Sequence, residues 1–166
     1  MQGLLGFLLS FVCIFNMAVA KADITDWFSY DEAKKQVYFK LTSAENANNN
    51  GLNYNGYYQG NLTLKVPVNW LVNISLTNRD ANATHDIILT KPFGMDNVPD
   101  ELTGESSIIK RAYIAPLFSN ETDNLKFTAK IGQYWLFCGV KGHGIDGMWI
   151  KLDVDALLEV PAVDRR

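Results

Sequence analysis

Between Tyr134 and Trp149 the chain carries a thiol, an imidazole and a thioether on one glycine-rich loop: Cys138, His143 and Met148, delivered by the apolar run Tyr134–Phe137. Four residues separate Cys138 from His143, and four more separate His143 from Met148. Soft sulfur ligands suit Cu(I), and imidazole nitrogen is accepted by Cu(II). A thiolate, one or two imidazoles and a distant thioether therefore suit a copper ion that exchanges single electrons. The loop predicts a mononuclear type 1 copper centre. Its second imidazole has to come from the one other histidine, His85, which follows the polar turn Arg79–Thr84 and leads into the apolar run Ile87–Leu89. In this reading His85, Cys138 and His143 form a trigonal set, with Met148 as a weak axial ligand. Gly139, Gly142, Gly144 and Gly147 allow the tight turns such a loop needs. Singly, a cysteine or methionine is ordinary core packing and a histidine an ordinary surface residue. Together, the two spacings, the glycine loop, the aromatic strand and the upstream histidine single out a ligand set.

The elements that must position these residues read as short strands. Gln36–Leu41 alternates in the manner of a strand, and further β segments are predicted at 52–58, 61–66, 69–77, 86–90, 107–113, 124–130, 133–138 and 147–154. Asn55-Gly56, Gln59-Gly60, Pro67 and Asn78–Asp80 punctuate them. With no long 3.6-residue periodicity after residue 35, the pattern predicts an all-β sandwich over 36–154. Residues 21–35 are expected to be a linker or short helix, and the tail 155–166 a helical turn followed by disorder. The longest irregular stretch, Lys91–Ser106, is either a binding surface or a mobile insert. Its apolar start, Pro92–Met95, is expected to tuck onto the core as an edge patch.

Hydrophobic residues make up 48% and charged residues 20% of the 166, an ordinary globular balance that supports one folded domain with a real core. A net charge of −3 with no basic cluster argues against a nucleic-acid partner. Residues 1–20 carry no charge and read as an export signal or a membrane anchor. Ala18-Val19-Ala20 fits a cleavage site, yet the positive n-region is missing, and the uncleaved run is about the 20 residues a helix needs to cross a bilayer. Cys13 lies inside that run, so the folded domain holds a single cysteine and no internal disulfide. An exported lone thiol is an oxidation liability, and metal ligation is a reason to keep it. Four sequons, at Asn61, Asn73, Asn82 and Asn120, also fit export.

The pattern Cys138-Gly139-Val140-x-Gly142-His143-Gly144-x-x-Gly147-Met148-Trp149 resembles that of the sulfocyanins. Leu52-Asn53-Tyr54-Asn55-Gly56 and Leu64-Lys65-Val66-Pro67-Val68-Asn69-Trp70 add to the likeness. The loop spacing is also similar to that of rusticyanin, and an upstream histidine before a Cys/His/Met loop is the cupredoxin ligand order. The resemblance implies a cupredoxin-like Greek-key β-sandwich with an N-terminal apolar segment, holding one copper ion. It further implies a monomer held at the outer face of the cell membrane, or released there if the segment is cut. Such a protein passes electrons between a redox donor and acceptor, a cytochrome or a terminal haem–copper oxidase complex, in the respiratory chain of an acidophile. By the same resemblance electrons pass through the exposed edge of His143, in an apolar patch to which Gly142, Gly144 and Ile145 contribute.

Trp135 and Phe137, with Tyr134 and Trp149, flank the ligands; those directed inward would exclude water and favour Cu(I), and so a high potential. Asp86 departs from the asparagine or serine that many cupredoxins carry after the first histidine. It is expected to accept backbone N–H bonds from the Cys138–Gly139 region, or to donate to sulfur when protonated. Enzyme readings fail on residue counts: a trinuclear copper cluster needs many more histidines than two, and a binuclear site needs a second loop cysteine where Gly142 stands. Zinc is disfavoured because methionine is a poor partner for it. No catalytic activity is expected. A copper carrier delivering copper to an oxidase is the rival reading, although a thiolate in a rigid loop favours retention over exchange.

Overall fold

Period-two alternation builds the first sheet. β2 (Gln36–Ser43) and β4 (Leu71–Asn78) bury every second residue, so Val37, Phe39 and Leu41 face the same interior as Val72, Ile74 and Leu76 while polar side chains face water. The two strands pair in parallel, flanked by β1 (Phe28–Asp31) on β2 and β7 (Thr122–Thr128) on β4. This computed structural model describes residues 26–166; the apolar segment 1–20, Cys13 and the start of the 21–35 linker lie outside the described residues. Among the described residues no helix is long and apolar enough to cross a membrane.

The second sheet has six strands in the order β10-β3-β9-β8-β5-β6. They are β3 (Leu62–Pro67), β5 (His85–Thr90), β6 (Tyr113–Leu117), β8 (Gly132–Phe137), β9 (Trp149–Asp155) and β10 (Ala162–Arg165). Every residue of β5 and the last four of β8 are buried, as expected of strands covered on both faces. Leu64, Ile87, Leu89, Leu136, Ile150 and Leu152 belong to the core between the sheets, each fully buried aliphatic contributing about 1.5–3 kcal/mol. On the opposite face Trp135, Phe137 and Trp149 form a second cluster, capped by Phe93, Val98 and Leu102 of the 91–106 connection. That connection is a strap held by these three side chains, and of the expected Pro92–Met95 patch Phe93 alone packs, while Pro92, Gly94 and Met95 are exposed.

The β-sandwich expected from the sequence is present, with four corrections. Residues 52–58 form no strand: Asn55 within them and Asn49, Asn50 and Gln59 beside them adopt positive φ, and Tyr54 and Tyr57 make only isolated bridges. The strand predicted at 107–113 lies instead at Tyr113–Leu117, after Arg111 at positive φ. It is an edge strand, where Pro116 can be accommodated. The expected linker contributes β1, whose Phe28 is buried and stacks on Phe39 at 5.5 Å. The expected disordered tail contributes β10, paired with β3, and Arg165 lies 5.7 Å over the Trp27 ring. The sandwich thus extends beyond 36–154 at both ends.

Candidate metal centre

β8 ends at Phe137, and its next residue, Cys138, turns into the inter-sheet core. The Cys138 N–H donates to the Met148 carbonyl at 3.0 Å and the Met148 N–H to the His143 carbonyl at 2.9 Å, closing the base of the loop. Within it, the N–H groups of His143, Asp146 and Gly147 donate to the carbonyls of Val140, Gly142 and Gly144. Gly142 and Gly147 take positive φ, which side chains resist. Two other segments brace the loop from outside. Asn49 Nδ2 donates to the Asp146 carbonyl at 2.9 Å and the Gln59 N–H to the Gly147 carbonyl at 2.8 Å. From the strap, the Leu102 N–H donates to the Gly139 carbonyl and Asp100 accepts from the Gly142 N–H.

β5 opens at His85, where the pairing with β6 slips between His85 and Ile87; such an irregularity re-aims a side chain. Cys138 Sγ lies 4.0 Å from His85 Nδ1 and 3.6 Å from His143 Nδ1, and the three ligand atoms all fall within 4.8 Å of one another. Metal–sulfur and metal–nitrogen bonds of about 2.3 and 2.0 Å, opened to roughly 120°, put sulfur and nitrogen about 3.7 Å apart, so the donors fit around one ion. His85, Cys138 and Met148 are fully buried, and His143 is the member of the set that reaches the surface.

Burial holds both imidazoles below their usual pKa, with Asp80 opposing this at His85, and neutral imidazole is the ligating form. Burial, then the nearby Asp86 charge, pushes the Cys138 thiol far up, so a metal has to displace its proton. Asp86 accepts the Gly139 N–H at 2.6 Å, as expected, and burial raises its carboxyl to about 6 against that hydrogen bond.

Phe137 packs beneath the ligand loop, but Trp135 lies one strand repeat away, stacked on Trp149 with ring centroids 3.7 Å apart. Both face away from the inter-sheet core, because alternation along β8 that turns Leu136 and Cys138 inward turns them out. Ile145 is 52% exposed beside half-buried His143 and Gly142, whereas Gly144 is buried and contributes no surface. A Cβ on Gly144 would sit 1.9 Å from Phe137 Cζ, so the missing side chain admits the ring.

Three contributors went unread in the sequence. Asp80 Oδ2 lies 3.1 Å from His85 Nε2. Asn78, fully buried, ties down the turn that carries Asp80. Tyr54, also fully buried, donates its hydroxyl to the Asp86 carbonyl. Asn78–Asp80 was legible only as a turn, and Tyr54 only as part of the Leu52–Gly56 likeness, with no role attached to it.

The fold is that of an auracyanin from Roseiflexus castenholzii, which aligns with a TM-score of 0.51 at 19% identity over 70% of this chain and 94% of that one. A rusticyanin from Thiobacillus ferrooxidans aligns with a TM-score of 0.49 at 17% identity, over 78% and 87% of the two chains. A sulfocyanin of Sulfolobus acidocaldarius is 23% identical over 133 residues, 74% of this chain, and the chain spans 65% of that relative's length. The Sulfocyanin (SoxE) domain model matches residues 25–163. A match of that extent, over residues that assemble a donor set fitting a type 1 copper ion, means that the chain belongs to the sulfocyanin family, with copper as its cofactor.

Proposed function

We propose that this chain is an electron carrier on the extracytoplasmic side of the cell membrane, anchored by residues 1–20 or released after their cleavage, passing electrons from a cytochrome-type donor toward a terminal haem–copper oxidase. His85, Cys138 and His143 would hold the copper ion, with the Met148 thioether as a weaker fourth donor. The observation that carries this reading is the assembly of three donor atoms within 4.8 Å in a pocket from which only His143 reaches the surface. Bound copper supplies the Cu(II)/Cu(I) couple. The chain holds one geometry for both states: Cys138 and Met148 are locked by the loop's own hydrogen bonds, and the Asn49/Gln59 and Asp100/Leu102 braces keep the loop from relaxing. Phe137 and the buried β5 face exclude water, which disfavours the more highly charged ion and raises the potential. The half-buried edge of His143 beside exposed Ile145 offers the partner a short, apolar contact.

Cycling tests this reading against the carrier alternative. The copper-loaded protein is reduced and reoxidised repeatedly in the presence of a Cu(I) chelator, and copper content is measured after each cycle. Electron transfer predicts full retention and, on adding oxidase-containing membranes, oxygen uptake driven by the reduced protein. Loss of copper to the chelator on each reduction would favour the carrier.

A further inference from the structure

His85 is held from behind. Its Nδ1 faces Cys138 Sγ, and its Nε2 meets Asp80 Oδ2 at 3.1 Å. The carboxylate is not free to wander, because its Oδ1 accepts the N–H groups of Asn82 at 2.8 Å and Ala83 at 3.1 Å. The turn beneath is fixed in its own right. Asn78 Oδ1 accepts from the Asp80 N–H and from Ser43 Oγ, while Asn78 Nδ2 donates to the carbonyls of Ala83 and Leu117. Every hydrogen-bonding capacity of that buried amide is thus spent on tying β2, β6 and the Asp80 turn together. Asp80 itself keeps a partly exposed side chain, while the ring it contacts is fully buried.

We infer that Asp80 is a positioning residue for the metal centre, with two effects that both act through His85. An ionised carboxylate only accepts hydrogen bonds, so it fixes the Nε2–H tautomer and leaves the Nδ1 lone pair aimed at the site before any metal arrives. Its negative charge, coupled through the ring, favours the more highly charged copper ion and sets the potential below the value the shielded pocket alone would confer. This inference rests on His85 being a ligand.

The test compares Asp80→Asn and Asp80→Ala with the wild type, as the copper-loaded protein by redox titration and as the copper-free protein by 15N NMR of the His85 ring at neutral pH. Asparagine removes the charge and has a single acceptor: with its Oδ1 on the Asn82 and Ala83 N–H groups, its Nδ2 donor meets His85 Nε2. It should raise the potential by roughly 59 mV, a tenfold shift in the Cu(I)/Cu(II) preference, leave the turn and the thermal midpoint unchanged, and move the copper-free His85 ring from the Nε2–H toward the Nδ1–H tautomer. Alanine should raise the potential and mix the two tautomers. If Asp80→Asn leaves the potential where it was, Asp80 is only a staple for the turn and the inference fails, whether or not the alanine variant folds. A wild-type His85 that populates both tautomers without copper overturns the inference independently. Failure of the ligand reading shows differently, as a wild-type protein with no thiolate–copper absorption band.

Discussion

Replacing Gly144 with alanine should destabilise the protein and disturb the metal centre together, although the backbone there welcomes alanine. Gly144 does not adopt a left-handed φ, so on conformational grounds the change would stabilise by about 0.4–1 kcal/mol. Packing reverses the sign. The added Cβ would lie 1.9, 2.3 and 2.5 Å from Phe137 Cζ, Cε1 and Cε2, against about 3.5–4.0 Å for carbon atoms in contact. The ring would have to retreat by more than an ångström, and Phe93, edge-on at 5.6 Å, holds it from the strap side. Overpacking of this kind costs about 1–3 kcal/mol, and the upper part of that range is expected here. In a domain of this size it corresponds to a drop of roughly 4–10 °C in the thermal midpoint. Because His143 precedes Gly144, relief by shifting the loop instead should weaken the thiolate–copper band. The assay is denaturant and thermal unfolding of the copper-free protein, with Phe137→Leu and the double variant completing a cycle. Two outcomes would refute the reasoning: a Gly144→Ala midpoint at or above wild type, or penalties that simply add in the double variant, since two groups in collision must couple.

Asp86→Ala strands the buried Gly139 N–H, which should cost about 1–3 kcal/mol and shift both the copper spectrum and the potential; a variant with neither shift would remove Asp86 from the site. Ending the chain at Glu159 deletes β10, the Val163 packing and the Arg165–Trp27 contact, and unfolding should report a loss of about 1–3 kcal/mol; an unchanged midpoint would contradict the place given to the tail. Copper uptake should release the Cys138 proton, because burial keeps the thiol protonated at neutral pH. Affinity for Cu(II) should therefore fall about tenfold per unit as pH drops from 8 to 6. It should steepen only below the usual imidazole range, since burial lowers both histidine pKa values. Competition titrations showing affinity flat across that interval would count against a thiolate ligand.

His85, Cys138, His143 and Met148 were legible because ligand chemistry admits few residue types, and a loop of small residues leaves their spacing conspicuous. Asp86 was legible through the resemblance, because it stands where many cupredoxins carry an asparagine or serine after the first histidine. Asp80 and Tyr54 were not, since their roles depend on how the 78–85 turn closes and on where an irregular segment lays its one buried ring. β1 and β10 escaped because short edge strands draw their stability from the partner they join rather than from their own pattern. The reverse error at 52–58 arose where tyrosines suggested a strand but asparagines at positive φ forbid one. Gly144 looked like surface because glycine carries no side chain to announce that an aromatic ring lies against it.

The most direct test of the central claim is the visible absorption spectrum of the protein after addition of Cu(II), recorded for wild type and for Cys138→Ser. The account predicts an intense charge-transfer band at one copper per chain that disappears in the serine variant. Copper bound without that band, or a band that survives in Cys138→Ser, would contradict a thiolate-ligated type 1 centre.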